Sequence, residues 1–133
     1  MTEYTDDIRI AVPPNMLFTY LSDVENVPRY MPRVTQAHEI GDGAVEVHAT
    51  PRLADGSTVE VQGSAWTRID TPGRTMSWGS IGGRHNYKGL FDVDADGDGS
   101  RLFVRIRSER ADGEAVRAGL KDTLAKIKAI TEG

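Results

Sequence analysis

Leu21-Ser-Asp-Val-Glu-Asn-Val-Pro-Arg-Tyr-Met-Pro-Arg-Val34 is the stretch on which the fold turns. Before it, Pro13 and Pro14 stop an alternating run, and Leu17, Phe18 and Leu21 fall on one helical face. Proline suits the first turn of a helix because that turn's N–H groups have no intrahelical partner. Ser22 and Glu25 have capping-box spacing, which predicts a second short helix starting near Val24. Pro28 fits only in its first turn or at a kink, and Pro32 ends it. After Val34 the pattern changes from helical spacing to strands.

Upstream, Ile8, Ile10 and Val12 alternate with Arg9 and Ala11 as in a half-buried strand. Downstream, Val34 to Ile40 leads into the turn Gly41-Asp-Gly43, and Val45, Val47 and Ala49 alternate with Glu46, His48 and Thr50. Ala54 to Ser57 forms the next turn. A long strand then places Val59, Val61, Gly63, Ala65, Thr67 and Ile69 on one face, with Glu60, Gln62, Ser64, Trp66 and Arg68 on the other. Asp70-Thr-Pro-Gly73 is a turn, Thr75 to Trp78 a short strand, and Gly79 to Gly83 a break. Strands over Arg84–Ala95 and Arg101–Glu109 are joined at Asp96-Gly-Asp-Gly99. Asp112 and Gly113 open a C-terminal helix with an apolar stripe of Val116, Leu120, Leu124, Ile127 and Ile130 or Thr131. Two small helices ahead of a long antiparallel sheet, and one helix behind it, imply a sheet curled around the last helix with an apolar space between them.

The totals narrow the function classes. The 133 residues fit one domain over 1–133, and 38% hydrophobic with 27% charged residues is an ordinary soluble balance. A net charge of -4 argues against a phosphate-binding surface, and no nucleic-acid partner is expected. The absence of cysteine excludes disulfides and thiolate chemistry. The acidic N-terminus lacks the apolar stretch of a secretory signal, and no run reaches the roughly 20 apolar residues of a membrane span, so the expectation is a cytoplasmic chain without stable membrane insertion.

Three stretches resemble the START-like helix-grip superfamily, the SRPBCC-type proteins that include polyketide cyclases/dehydrases and lipid-transport proteins. These are Ile10-Ala-Val-Pro-Pro14 with Leu17 and Phe18; Leu21-Ser-Asp23 through Pro28, Tyr30, Pro32 and Val34; and Ile69-Asp-Thr-Pro-Gly-Arg-Thr-Met-Ser-Trp78. The resemblance implies an α+β fold of β-α-α-β6-α order, a curved antiparallel sheet of about seven strands gripping the C-terminal helix. It also implies a pocket between the concave sheet face and that helix. Alternation nominates Val47, Val61, Ala65, Val104, Ile106, Leu120 and Leu124 for its lining, although the same pattern serves a filled core. Gly63, Ala65 and Gly89 leave space along the inner face. Trp78 and Met76 belong at the pocket entrance or in the core, and Leu17, Phe18, Tyr30 and Met31 form a gate beside the Gly79–Gly83 loop.

Other motifs carry less. Asp92-Val-Asp94-Ala-Asp96-Gly97 opens like a calcium loop, but its twelfth position is Phe103 rather than a bidentate glutamate, so a hairpin tip is expected. His38, His48 and His85 lack the spacing of a zinc site, and no metal or cofactor is expected. His85 and Tyr87 share a strand face with Phe91 and Val93. On a concave face a desolvated, neutral His85 beside Tyr87 forms an acid–base pair; on a rim the two are only polar surface. Gly79-Ser-Ile-Gly-Gly83 lacks the ending of a phosphate loop, and no serine-nucleophile elbow occurs. Arg101, Arg105, Arg107 and Arg110 read as a solvated strand that discourages edge pairing.

Three functions remain in play. The first is binding or transport of a hydrophobic small molecule, such as a lipid, isoprenoid or polyketide-like compound, with Phe18, Tyr30, Met31, Met76, Trp78 and Phe91 joining the lining residues named above. The second is a polyketide aromatase/cyclase or dehydratase, with His85 and Tyr87 as its catalytic pair and Arg52 or Arg84 holding a carboxylate or enolate. The third is a protein-interaction module or ubiquinone-binding chaperone, its outward Trp66 and Phe103 offering a patch for a partner or a homodimer contact.

Overall fold

The computed structural model describes residues 2–31, 34–41, 43–50, 57, 60–81, 88–108 and 113–133. Strand β1 (Thr2–Ile10) leads to helix α1 (Pro14–Ser22), a 3-10 turn over Val24–Asn26 and a one-turn helix α2 (Val27–Tyr30). Six strands follow: β2 (Val34–Gly41), β3 (Ala44–Ala49), β4 (Val61–Thr71), β5 (Thr75–Ile81), β6 (Lys88–Asp96) and β7 (Gly99–Ser108). Helix α3 (Gly113–Glu132) closes the chain. All strand pairings are antiparallel, in the order β1-β7-β6-β5-β4-β3-β2. This is the expected helix-grip arrangement, with β1 carried to the far side of β7 instead of beside its sequence neighbour β2.

Local chemistry explains the entry segment. Pro14 sits in the first turn of α1 and Pro28 in that of α2, where neither removes a needed donor. The cap of the second helical segment is Asp23, not Ser22: Asp23 Oδ1 accepts from the Glu25 N–H at 3.1 Å. The Ser22 hydroxyl instead donates back to the Thr19 carbonyl at 3.2 Å. The segment starts as a tight 3-10 turn and becomes α-helical only from Val27. The turn at Gly73 and the two-residue turn Gly97-Asp98 use glycine at positive φ, 76° and 61° respectively.

One expected break is a strand. Strand β5 runs through Gly79 to Ile81, paired with Trp66, Ala65 and Ser64 of β4, and the Trp66 indole lies across Gly79, where a Cβ would come within 2.6 Å of Trp66 Nε1. On the opposite sheet face the Trp78 ring occupies the space above Gly89 in the same way, at 2.3 Å from where a Cβ would stand. The remainder of that expected loop, and the strand expected over residues 84–87, lie outside the described residues.

The core is uneven. A large cluster joins Tyr4, Ile10, Leu102, Val104, Ile106, Phe91 and Val93 on β1, β7 and β6 to Leu17, Phe18 and Leu21 of α1 and to Leu120, Leu124 and Ile127 of α3. A separate, small cluster of Val24, Ala37 and Val45 lies under the 3-10 turn. Helix α3 packs against β1 and α2, and its C-terminus is tied to the end of β1. There Glu132 accepts from the Ala11 N–H at 2.7 Å, and Lys128 Nζ donates to the Arg9 carbonyl at 3.2 Å. Among the described residues no helix is long and apolar enough to cross a membrane.

Candidate functional site

Where the small cluster ends, the sheet is hollow. A cavity of about 300 Å³ lies between β2–β6 below and the segment from Leu21 to Met31 above. Leu21, Val24, Val27, Tyr30 and Met31 form its roof. Its floor is Ala37, Val45, Val47, Gly63, Ala65 and Thr67 on β2–β4, continuing to Met76, Trp78 and Phe91 on β5 and β6. Strand register places these floor residues on one face: Val47 stands opposite both Ala37 and Gly63, Val45 opposite Ala65, Thr67 opposite Trp78, and Met76 opposite Phe91. The space exists because the roof is short and the floor side chains are small. At Gly63 a Cβ would meet nothing within 4 Å.

Aromatic rings form the wall shared with the large core cluster. Phe91 packs on Trp78 at 4.6 Å between centroids, Tyr30 meets Phe91 edge-on at 6.3 Å, and Tyr20 lies 6.0 Å from Tyr30. Burial, then the neighbouring Tyr20 and the Asp23 carboxylate, push the Tyr30 phenol above its ordinary pKa and keep it protonated. Tyr20 is raised chiefly by burial as well. The Trp78 indole N–H and the Tyr20 hydroxyl are buried without a hydrogen-bond partner among the described residues. Tyr30 is the only titratable side chain among the described lining residues, so the site presents apolar surface, aromatic faces and a few neutral polar groups.

The nominated residues separate into three groups. Tyr30, Met31, Val47, Ala65, Met76, Trp78 and Phe91 border the cavity. Phe18, Val104, Ile106, Leu120 and Leu124 do not; they are buried in the large core cluster, because α3 lies over the β1 end of the sheet. The expected pocket between sheet and C-terminal helix is therefore corrected: the hollow is roofed by the 3-10 turn and α2. Leu17 is likewise core and not a gate. Val61, at the start of β4, pairs with Ala49 of β3, but its side chain is outside the described residues, as are Arg52, Arg84, His85 and Tyr87. Leu21, Val24, Val27, Val34, Ala37 and Val45 also line the cavity, beyond the residues that alternation points to. The helical spacing of Leu21, Val24 and Val27, three residues apart, is the signal that marks the roof.

Outside the cavity, Asp92, Asp94 and Asp96 are held by arginines. Arg74 reaches Asp92 at 3.3 Å and Asp94 at 3.0 Å, and Arg101 reaches Asp96 at 3.5 Å. His48 lies 3.6 Å from both Glu46 and Glu60. Trp66 faces the convex side, with Arg68 and Lys88 over its ring at 5.7 and 5.9 Å.

Solved structures share this architecture. A protein from Chromobacterium violaceum aligns with a TM-score of 0.79 at 14% identity, over 100% of this chain and 99% of its own. A protein from Deinococcus radiodurans gives 0.77 at 22% identity, over 98% of each chain. The di-domain ARO/CYC StfQ of the steffimycin biosynthetic pathway gives 0.71 at 16% identity, over 98% of this chain and 50% of its own. Among curated proteins, none matches the sequence. The family model described as polyketide cyclase / dehydrase and lipid transport matches residues 1–132. With its order of elements, its gripped C-terminal helix and its hollow inner face, the chain belongs to that family.

Proposed function

We propose that this chain binds a neutral hydrophobic small molecule in the cavity under the 3-10 turn and α2. Family and fold support hydrophobic-ligand binding or a cyclase/dehydrase-like activity. The observation favouring binding is the lining itself: among its described residues the one titratable group is Tyr30, which burial keeps protonated. Each ~100 Å² of apolar ligand surface removed from water contributes about 2.5 kcal/mol before the costs of immobilisation. An ionised carboxylate gains nothing comparable, because no described lining cation offsets its desolvation. The small volume suits a compact ligand and not a two-chain lipid.

The test blocks the space from its open side. Gly63→Phe places a ring where the structure has room, and weakens binding of the neutral dye Nile red by about tenfold or more, equivalent to about 1.4 kcal/mol. Unchanged dye binding in a folded Gly63→Phe variant overturns the proposal. Native mass spectrometry of protein purified without detergent then identifies the class of any retained lipophile.

A further inference from the structure

The convex face of the sheet carries a second recess, of about 180 Å³, whose charge opposes that of the whole chain. Two rows of paired residues build it. Trp66, Gly79, Lys88, Arg107 and Glu3 follow one another across β4, β5, β6, β7 and β1; Arg68, Ser77, Leu90 and Arg105 form the next row. Lys88 and Arg107 are thus directly opposite across two strands, an arrangement that like charges disfavour. The same face shows how such a conflict is otherwise relieved. Arg9 opposite Arg101 is surrounded by Asp7, Asp96 and Asp98, with contacts of 2.8 to 3.7 Å.

At the recess compensation is thin. Glu3 is shared by Arg105 and Arg107 at 3.8 and 3.7 Å, and Asp70 is held by Arg68 at 2.6 Å. Lys88 lies over the Trp66 ring and has no carboxylate within ion-pair distance among the described residues. Among the described residues, four cations therefore face two carboxylates. Ser77, 2% exposed, lines the recess, and its Oγ has no hydrogen-bond partner of good geometry, although it stands close enough to Asp70 to help lower that group's pKa. Asp70, whose carboxyl Lys88 also helps to hold below its usual range, and Glu3 relieve the conflict only in part, and a local rule broken with so little internal relief points to an external partner.

We propose that this recess binds a phosphate group, with Lys88, Arg105 and Arg107 as its charged donors. Arginine's planar fork and lysine's compact ammonium both donate to phosphate oxygens, and Leu90 and Trp66 supply apolar surface for the body that carries the group. The phosphate belongs either to a soluble phosphomonoester or to a lipid headgroup. The site is on the opposite sheet face from the cavity and does not depend on what the cavity holds.

Titration of the full chain with inorganic phosphate, at ionic strength held constant with sodium chloride, tests the site by amide chemical shifts. Saturating shifts are expected at Ser77, Lys88, Leu90 and Arg105. Lys88→Gln and Arg107→Gln each weaken the interaction about tenfold, the order of one charge-assisted hydrogen bond. Arg101→Gln, on the same face outside the recess, leaves it unchanged. Co-sedimentation with vesicles containing phosphatidic acid, reversed by phosphate, assigns the group to a headgroup; saturation by phosphate without vesicle binding assigns it to a soluble ligand. Shifts that never saturate, or that Arg101→Gln weakens as much as Lys88→Gln does, overturn the proposal.

Discussion

The two halves of the sheet share one alternation and reach opposite ends. On β1, β7 and β6 the inward residues are Tyr4, Leu102, Val104, Ile106, Phe91 and Val93, all buried in one cluster with α1 and α3, with Phe91 alone among them reaching the hollow. On β2, β3 and β4 they are Ala37, Val45, Val47, Gly63, Ala65 and Thr67, and they border a hollow. Two differences act together. The 20 residues of α3 span about 30 Å and bring Leu120, Leu124 and Ile127 to the dense half. The four residues of α2 and one 3-10 turn bring mainly valines to the other. A strand pattern therefore tells which face is inside, while the length of the covering element and the size of the side chains decide whether that inside is filled.

The sharpest test of this contrast is truncation. Leu102 is fully buried, and Leu102→Ala should cost about 3 kcal/mol, the transfer loss plus a cavity that dense neighbours cannot close. Val47→Ala only enlarges existing space and should cost about 1 kcal/mol or less. Urea denaturation of both variants measures the difference. Equal losses would show that the β2–β4 half is packed as tightly as the other.

How much of this is legible in the sequence follows from the same contrast. The order of elements could be read, because Pro14, Pro28, Gly73 and Gly97 act through local backbone preferences. The inward face of β4 could be read from Gly63, Ala65, Thr67 and Ile69. The position of the hollow could not. Val47 and Val104 are the same residue in the same pattern, and only the passage of β1 to the far side of β7 sets α3 over Val104 and away from Val47. Ser22 and Asp23 are both able caps, and the choice between them depends on how α1 ends. Trp66 over Gly79 was hidden because a tryptophan covering a glycine on the next strand leaves no local signal.

Glycines give the second test, somewhat smaller in effect. At Gly89, on the seam between the halves, a methyl group collides with the Trp78 ring that packs on Phe91. Gly89→Ala should cost about 2 kcal/mol through overpacking and disturb the cavity wall. Gly63→Ala meets nothing, so it should be neutral or stabilise by up to about 0.5 kcal/mol, since alanine loses less backbone entropy than glycine. Thermal unfolding of the pair separates overpacking from a general intolerance of inner-face methyl groups. A stabilising Gly89→Ala would place free space where the wall should be solid.

The smallest expected effect lies at the ring that joins the two halves. Tyr30, 1% exposed, touches Phe91 on one side and Tyr20 on the other while roofing the cavity. Its phenol is raised from an ordinary value of 10.0, first by burial and then by Tyr20 and Asp23. The folded state therefore holds the proton more tightly than the unfolded chain does. This contribution is fully present below the ordinary value and is lost as pH rises from there toward the folded value. The slope is at most about 1.4 kcal/mol per pH unit for one proton. Tyr30→Phe removes the ionisable group while keeping the ring, so above the ordinary tyrosine range its stability should fall less steeply with pH than the parent's. Parallel pH profiles would mean that the phenol reaches solvent through the hollow half, and that the wall between filled and empty core is open at Tyr30.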